Sequence, residues 1–393
     1  MKKLIFGYGA TGKSVETYFQ KNNIEYLIYD DDKEIEISKI QKFKDSNFKD
    51  IDEIIISPGI KPTHELLNEI NSRGIPVKTD IDIFNEIYTG KVIGVTGTNG
   101  KTTLVNLLTS FLNSQGIKTA AVGNVGRSPL EVIDKEYEYI VIELSSFQLY
   151  YLNNLSLHIG IILNIYQDHL DWHKNFDEYL KSKRRIKEFI ENMDDSIKDN
   201  NFFGSLEPGS INSNLYSEIK EKSIFFDNTV DIFMQVIEKL ELNYEFAKEY
   251  LINTNNSEHR FELVDVHKGI TYINDSKSTN FNSVSMATTK VNNGVLIMHG
   301  LTKNMDSKDL DISKKIKTII LPKDMKVNLN NTDAEVIELD SIFDLEEKLE
   351  KNLHSGDTVL FSCGGASFND FKNYEERGNF FKSVVSNIKV KNG

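Results

Sequence analysis

Short apolar runs recur along the chain, each closed by Gly, Asp or Pro and separated from the next by an amphipathic stretch of helical period. KKLIFGYG, IEYLIYDD, DEIIISPG and IPVKTD form the first series, with SVETYFQKN and THELLNEINSRG between them. Buried runs alternating with helical segments predict parallel strands covered by helices and linked by right-handed crossovers. This series ends near Thr89-Gly90. A second opens with KVIGVTGTNGKTTLVNLLTSFLNSQG and continues through IKTAAVG, YEYIVIELSS and LHIGIILNI to a charged helix from about Phe176 to Asn192. From Met193 to Ser223 there is little period, which predicts a surface excursion rather than regular structure. A helix resumes at DNTVDIFMQVIEKL, and the polar run INTNNSEHR reads as a linker with a hinge near 253–258. The third series, GITYINDS, GVLIMHG, KIKTIILP, AEVIELD and GDTVLFSCGG, carries the helical SIFDLEEKLEKNL. Three α/β domains follow, at 1–89, 90–255 and 256–393.

A chain of 393 residues is long for one core, which agrees with that division. No apolar run approaches the roughly 18 residues of a membrane span, and the basic start lacks the long apolar region of a signal peptide. The formal charge of −13 argues against a nucleic-acid binder but leaves room for a local basic pocket. Cys363 is the single cysteine, so neither an intrachain disulfide nor a thiolate zinc cluster is available, and a cytoplasmic location is expected.

Two glycine loops sit at strand-to-helix junctions. Gly7, Gly9 and Gly12 spell G-x-G-x-x-G, with Asp30 ending the next strand; this layout suits a dinucleotide or the diphosphate of another nucleotide. The second loop runs Gly97-Thr98-Asn99-Gly100-Lys101-Thr102-Thr103. Its amides can cradle a triphosphate, Lys101 can neutralise transferring charge, and Thr102 can ligate Mg²⁺. Val95 stands where the usual spacing has its first glycine, so the loop is a variant. Glu143 follows a buried strand and could bind the same ion; otherwise it caps the next turn. Asp168-His169 ends another strand, where the imidazole could ligate a metal or meet a phosphate-bearing substrate.

Taken in order, GYGATGKS, ISPG, VTGTNGKTT, GNVG, ELSSFQL, DHLDWH, EHRFE, NDSKSTN and CGGASFNDFKNYEERG resemble the Mur ligase family across nearly the whole chain. ELSSFQL and FKNYEERG resemble its D-glutamate-adding members. The resemblance implies a Rossmann-like N-terminal domain, a central P-loop ATPase-like domain and a Rossmann-like C-terminal domain. It implies that the first loop holds a UDP-linked acceptor rather than NAD, through Ala10, Thr11, Asp30 and Gly59, with Asn124, Ser145, Gln148 and His169 carrying the muramoyl peptide onward. ATP would meet residues 97–103 together with Asn228, Arg260, Asp275 and Lys277, and D-glutamate would meet Thr279, Lys303, Ser367 and Tyr374. Lys183 would be carbamylated by carbon dioxide and, with Thr102, Glu143 and His169, would hold magnesium, two ions in all. Lys101, Glu143, His169 and Lys183 thus form the implied catalytic set.

The implied reaction activates the carboxylate of UDP-N-acetylmuramoyl-L-alanine as an acyl phosphate, which the amine of D-glutamate attacks, in a monomer whose third domain closes to exclude water. Other readings are a Mur-type ligase for a different amino acid, although no D-N-P-R motif is present, a folate polyglutamate ligase, a nucleotide-gated scaffold, and an NAD oxidoreductase. Some residues depart from the family pattern. His299 and Leu301 stand where relatives often have a glycine and an acidic residue, Asp227-Asn228 replaces a His-Asn pair, and the section after Lys183 is short.

Overall fold

Each apolar run of the first series becomes a parallel strand. β1 (Lys2–Phe6), β2 (Tyr26–Tyr29), β3 (Ile51–Ile56) and β4 (Val77–Lys78) lie in the order β2-β1-β3-β4, with helices α1 (Ala10–Lys21), α2 (Glu65–Ser72) and α3 (Asp80–Ile87). The computed structural model describes residues 2–31, 51–124, 127–190, 216–302, 310–329 and 332–392. Because β1 lies between β2 and β3, the strand order reverses at the C-terminal ends of β1 and β3, where open α/β sheets bind ligands. The turns at residues 7–11 and 57–59 are placed there. Gly12 lets α1 sit on the first turn: a Cβ at this position would come within 2.1 Å of the Gly7 carbonyl oxygen.

The second series gives β5 (Lys91–Thr96), α4 (Lys101–Ser114), β6 (Thr119–Gly123), β7 (Tyr139–Glu143), α5 (Ser146–Tyr151), β8 (Ile159–Ile162) and α6 (Phe176–Arg184). The strands are parallel in the order β6-β7-β5-β8. Every residue of β7 and β8 is buried, as expected of strands covered on both faces. Both sheets belong to one compact unit, Met1–Leu215. They share a core in which Ile5, Val15 and Phe19 pack in the same cluster as Ile140, Leu149 and Leu157. Asp82 caps α3 through Thr79 and accepts from the Asn153 and Asn154 amides at 2.9 and 2.8 Å. Nearby Asp80 accepts from Ser128 Oγ at 3.0 Å, and burial pushes its pKa up to about 6.

The charged helix is shorter than its pattern. α6 stops at Arg184 and tightens into a 3₁₀ turn over Arg185–Phe189. The reason is a competing ladder: the Leu157 amide donates to the Phe189 carbonyl at 2.7 Å, and Ile190 bridges to Leu157. Most of the 193–223 stretch lies outside the described residues; the described end of it is helical over Ser217–Lys222, against the expectation of no regular structure.

The second unit, Tyr216–Gly393, holds α7 (Ser217–Lys222), α8 (Asp227–Lys239), α9 (Tyr244–Asn253), β9 (Glu262–His267), β10 (Ile270–Asp275), α10 (Phe281–Thr289), β11 (Gly294–His299), β12 (Ile316–Pro322), β13 (Glu335–Leu339), α11 (Leu345–Asn352), β14 (Thr358–Gly364) and α12 (Tyr374–Asn392). Its six strands run β13-β12-β11-β14-β10-β9. All pairs are parallel except β9–β10, a hairpin turned by Lys268 and Gly269 with φ of 51° and 78°. β9 has no fully buried residue, so it lacks the continuous apolar signature of strands such as β11 and β14. Helices α7–α9 belong with this sheet. Ile224 and Phe226 lie on the core of Phe261, Val284 and Leu360, and Lys290 pairs with Asp227 at 2.8 Å. The polar run at 253–258 therefore lies within the second unit. Among the described residues no helix is long and apolar enough to cross a membrane.

Gly12→Ala should force α1 off the first turn and cost about 1–3 kcal/mol, the range for overpacking a tight site. Chemical denaturation followed on the first unit checks this; an unchanged midpoint would show that α1 does not need the close approach.

Candidate functional site

The best-defined cluster surrounds the C-terminal ends of β5, β7 and β8. Sheet order puts β5 between β7 and β8, so the loop at 97–100 is flanked by Glu143 on one side and by the chain leaving β8 on the other. The chain leaving β8 supplies Asn164, a buried side chain that the sequence reading passed over. Its Oδ1 accepts from the Thr98 and Asn99 amides at 3.2 and 2.9 Å, and its Nδ2 donates to the Asn99 carbonyl at 3.0 Å. Thr98 Oγ1 is tied to the Tyr179 hydroxyl at 2.7 Å and accepts from the Tyr166 amide at 2.9 Å. Lys101 Nζ, on the first residue of α4, reaches the Thr98 carbonyl at 3.0 Å. Gly100 precedes it as the helix cap, and Thr103 sits half-buried in the first turn.

On the other side, Thr102 Oγ1 donates to Glu143 Oε2 at 2.8 Å, and Asn124 Nδ2 donates to Glu143 Oε1 at 2.9 Å. Glu143 is buried, so these bonds hold a desolvated carboxylate beside the loop. Among the described residues no three His, Cys, Asp or Glu side chains converge on one point. The Thr102–Glu143 pair is nevertheless an all-oxygen donor set at a helix N-terminus. That suits Mg²⁺, which takes one or two protein oxygens and completes its shell with phosphate and water.

Lys183 is brought to the same loop. Its chain lies on the inner face of α6, and its buried Nζ donates to the Gly97 carbonyl at 2.7 Å, 4.8 Å from the Tyr179 ring centroid. Burial is the main force holding its amine well below the usual lysine range, aided by the Lys101 ammonium and opposed by Asp168 and Glu143. His169 adopts a left-handed backbone with φ of 54°, a conformation that non-glycine residues seldom take outside turns and sites. Its ring meets Phe147 edge-on at 4.9 Å, and its Nε2 lies 3.6 Å from Asp168 Oδ2. Partial burial, together with Lys183 and Lys101, lowers its pKa against the pull of Asp168.

Ser145 and Gln148 form a reciprocal capping box at the start of α5, with Gln148 Oε1 accepting from the Ser145 amide and hydroxyl at 2.9 Å. The adjacent Ser146 meets His173 Nε2 at 2.9 Å, and burial holds that imidazole down at about 4. In the first sheet, Asp30 Oδ2 accepts the Tyr8 amide at 2.5 Å and so shapes the first glycine turn; Ala10 and Gly59 are exposed beside it, and Thr11 is half-buried.

The second unit gathers another set. Asp275, ending β10, is buried and accepts from the Phe261 amide at 3.0 Å and from the Ser278 and Ser362 hydroxyls at 2.6 and 2.7 Å; burial pushes its pKa up to about 6. Its carboxylate thus organises the chain around β10 and β14. Lys277 Nζ lies 3.4 Å from the Tyr374 ring centroid, within cation–π range. Thr279 is exposed and Ser367 buried. Arg260 is half-buried near Asp275, and Asn228 is the second residue of α8. Lys303 lies outside the described residues.

Asn164→Ala should release the Asn99 amide and carbonyl, while the Thr98 amide keeps its 2.9 Å bond to the main-chain carbonyl of residue 164. We expect ATP-analogue affinity to fall about tenfold, in line with losing hydrogen bonds of about 1–1.5 kcal/mol; calorimetric titration checks this, and wild-type affinity would show that the loop holds its shape unaided.

Comparison with known proteins identifies the family. The model of the Mur ligase middle domain matches residues 95–203, and that of the MurD-like N-terminal domain of Mur ligases matches residues 1–79. A protein of Thermosipho melanesiensis named UDP-N-acetylmuramoylalanine--D-glutamate ligase is 30% identical over 100% of this chain and 99% of its own. One of the same name from Francisella philomiragia is 29% identical over 99% and 97%. Among solved structures, the MurF ligase of Thermotoga maritima in complex with ADP superposes with a TM-score of 0.58 at 13% identity, over 100% of this chain and 95% of that one. A pseudomurein peptide ligase type C from Methanothermus fervidus gives 0.56 at 16%, over 99% and 100%. These structures share the three-domain plan, Rossmann-like at both ends with a central nucleotide-binding domain. With full-length similarity at 30% identity added to that plan, the chain belongs to the Mur ligase family.

Proposed function

We propose that this chain joins D-glutamate to UDP-N-acetylmuramoyl-L-alanine at the cost of ATP, forming ADP and phosphate through an acyl phosphate, as a cytoplasmic monomer in cell-wall precursor synthesis. The observation that carries the reading is the desolvated cluster of Thr102, Glu143 and Lys183 around a phosphate loop. Relatives named for this ligation along their whole length support it.

The terminal carboxylate of the acceptor attacks the γ-phosphorus, and the bond to the β,γ-bridging oxygen breaks as ADP leaves. The loop amides and Lys101 offset charge on the phosphate oxygens, which is the main demand of phosphoryl transfer. Thr102, Glu143 and His169 are the residues that would hold Mg²⁺, which when bound supplies further charge neutralisation. The amine of D-glutamate then attacks the acyl carbon, phosphate leaves, and the new amide nitrogen loses a proton. No side chain forms a covalent intermediate. Ala10, Thr11, Asp30 and Gly59 are assigned to the UDP end, with Asn124, Ser145 and Gln148 on the way to the reacting carboxylate. Asn228, Arg260, Asp275 and Lys277 are assigned to ATP, and Thr279, Lys303, Ser367 and Tyr374 to D-glutamate.

Lys183 is suited to carbamylation. Its lowered pKa favours the neutral amine, whose lone pair can attack carbon dioxide with loss of a proton to give an anionic oxygen donor. The sign of the linked stability follows. The folded-state pKa lies below that of the unfolded chain, so folding expels a proton and stability rises with pH between the two values.

Phosphate release should require ATP, UDP-N-acetylmuramoyl-L-alanine and D-glutamate together; release with a different amino acid alone would overturn the specificity. Lys183→Ala should lose most activity, regain part of it with a small carboxylic acid, and flatten the rise of stability with pH. Full activity in that variant would remove Lys183 from the site.

A further inference from the structure

The largest fully buried side chain among the described residues of the second unit has no part in the assignments above. Arg377, on the first turn of α12, is completely buried, yet no carboxylate touches its guanidinium among the described residues. Its donors are spent on the turns leaving three adjacent strands. Nε donates to Ser276 Oγ at 3.1 Å and Nη2 to the Ser276 carbonyl at 2.8 Å, beyond β10. Nη1 donates to the His299 carbonyl at 3.0 Å, at the end of β11, and to the Gly365 carbonyl at 2.9 Å, beyond β14. The last two turns are also stitched together directly: the Leu301 amide donates to the Ala366 carbonyl at 2.8 Å and the Ala366 amide to the Leu301 carbonyl at 2.9 Å. The fit leaves no slack, since a Cβ on Gly300 would lie 2.3 Å from the Ala366 carbonyl oxygen and 2.8 Å from Nη1.

His299 completes the unit. It is fully buried, with Nε2 at 2.9 Å from Asp370 Oδ2 and Nδ1 at 3.4 Å from Arg377 Nη1. A guanidinium only donates, so Nδ1 has to be the bare nitrogen, and Nε2 carries the proton that Asp370 accepts. The neutral imidazole therefore links a buried cation to a partly exposed carboxylate. Protonation would set Nδ1–H against Nη1–H, two donors face to face. The charged groups acting on the ring are Asp370 and Asp324, which favour its charged form, and Arg377, which with burial disfavours it.

We propose that Arg377, His299 and Asp370 form a positioning unit that fixes the three turns in the arrangement that receives the amino-acid substrate. The inference rests on the D-glutamate assignment, since those turns lead directly into Thr279 and Ser367. None of the three residues touches the reacting atoms. They act by holding carbonyls in place, and a planar five-donor fork does this where a single ammonium cannot.

The test uses the full chain. Arg377→Lys should raise KM for D-glutamate about tenfold, in keeping with lost hydrogen bonds from a charged group, while KM for the UDP substrate stays within about twofold. Wild-type KM for D-glutamate should rise as pH falls through the His299 titration, and His299→Gln should abolish that dependence. Without any substrate, amide exchange in Arg377→Lys should quicken at residues 300–302 and 365–367 but not within β10, β11 and β14. If Arg377→Lys does not fold, Asp370→Ala, altered at a partly exposed side chain, replaces it with the same expectations. An equal rise in KM for D-glutamate and for the UDP substrate, unchanged exchange at the turns, or a surviving pH dependence in His299→Gln would overturn the proposal. Should the unaltered protein release no phosphate with D-glutamate, the substrate assignment fails instead. The exchange measurement then decides alone whether Arg377 holds the turns.

Discussion

A loop that presents backbone N–H groups to a polyanion needs its shape imposed from outside, so that the amides not used to hold it stay turned toward the ligand. Here one carboxamide does much of that work. Asn164 answers two loop amides and one loop carbonyl, while Thr98 is gripped by Tyr166 and Tyr179. The position of Lys101, the exposure of the helix N-terminus and the approach of Glu143 to Thr102 all follow from the loop staying in that frame. Asn164 can serve because β8 runs beside β5 in the sheet, so the end of one strand faces the turn that leaves the other.

Desolvation shapes both units, with opposite consequences. Around the phosphate loop it weakens a lysine's hold on its proton and leaves the amine on a loop carbonyl. In the second unit a guanidinium that cannot shed its charge is buried instead, and its donors are satisfied by carbonyls and a hydroxyl. Which outcome prevails depends on whether the cation can lose its proton within the reach of ordinary pH.

Much of this was readable in advance, for specific reasons. Buried parallel strands announce themselves as continuous apolar runs, and glycine loops at their ends are local in sequence, so β1, β5, β7 and the two loops could be placed from the chain alone. The β9 strand could not, because its exposed face breaks the apolar run. The shortened α6 also escaped, since its end is set by pairing between Leu157 and the chain near Ile190. Asn164, Tyr179 and Arg377 were missed for a shared reason: each acts on residues far away in sequence, and only strand order makes them neighbours. Asn124 and Asp275 were singled out as ligand contacts, and the structure adds what they hold within the protein, Glu143 in one case and Phe261, Ser278 and Ser362 in the other.

One core beneath the first two sheets makes the spacing between the turn at 7–11 and the turn at 97–100 a property of the fold rather than of whatever binds. A molecule that must keep its diphosphate at one turn and its reacting end at the other is thereby measured against a fixed ruler. On the proposed assignment, acceptors a residue too short or too long would fail on length before any side chain reads their chemistry.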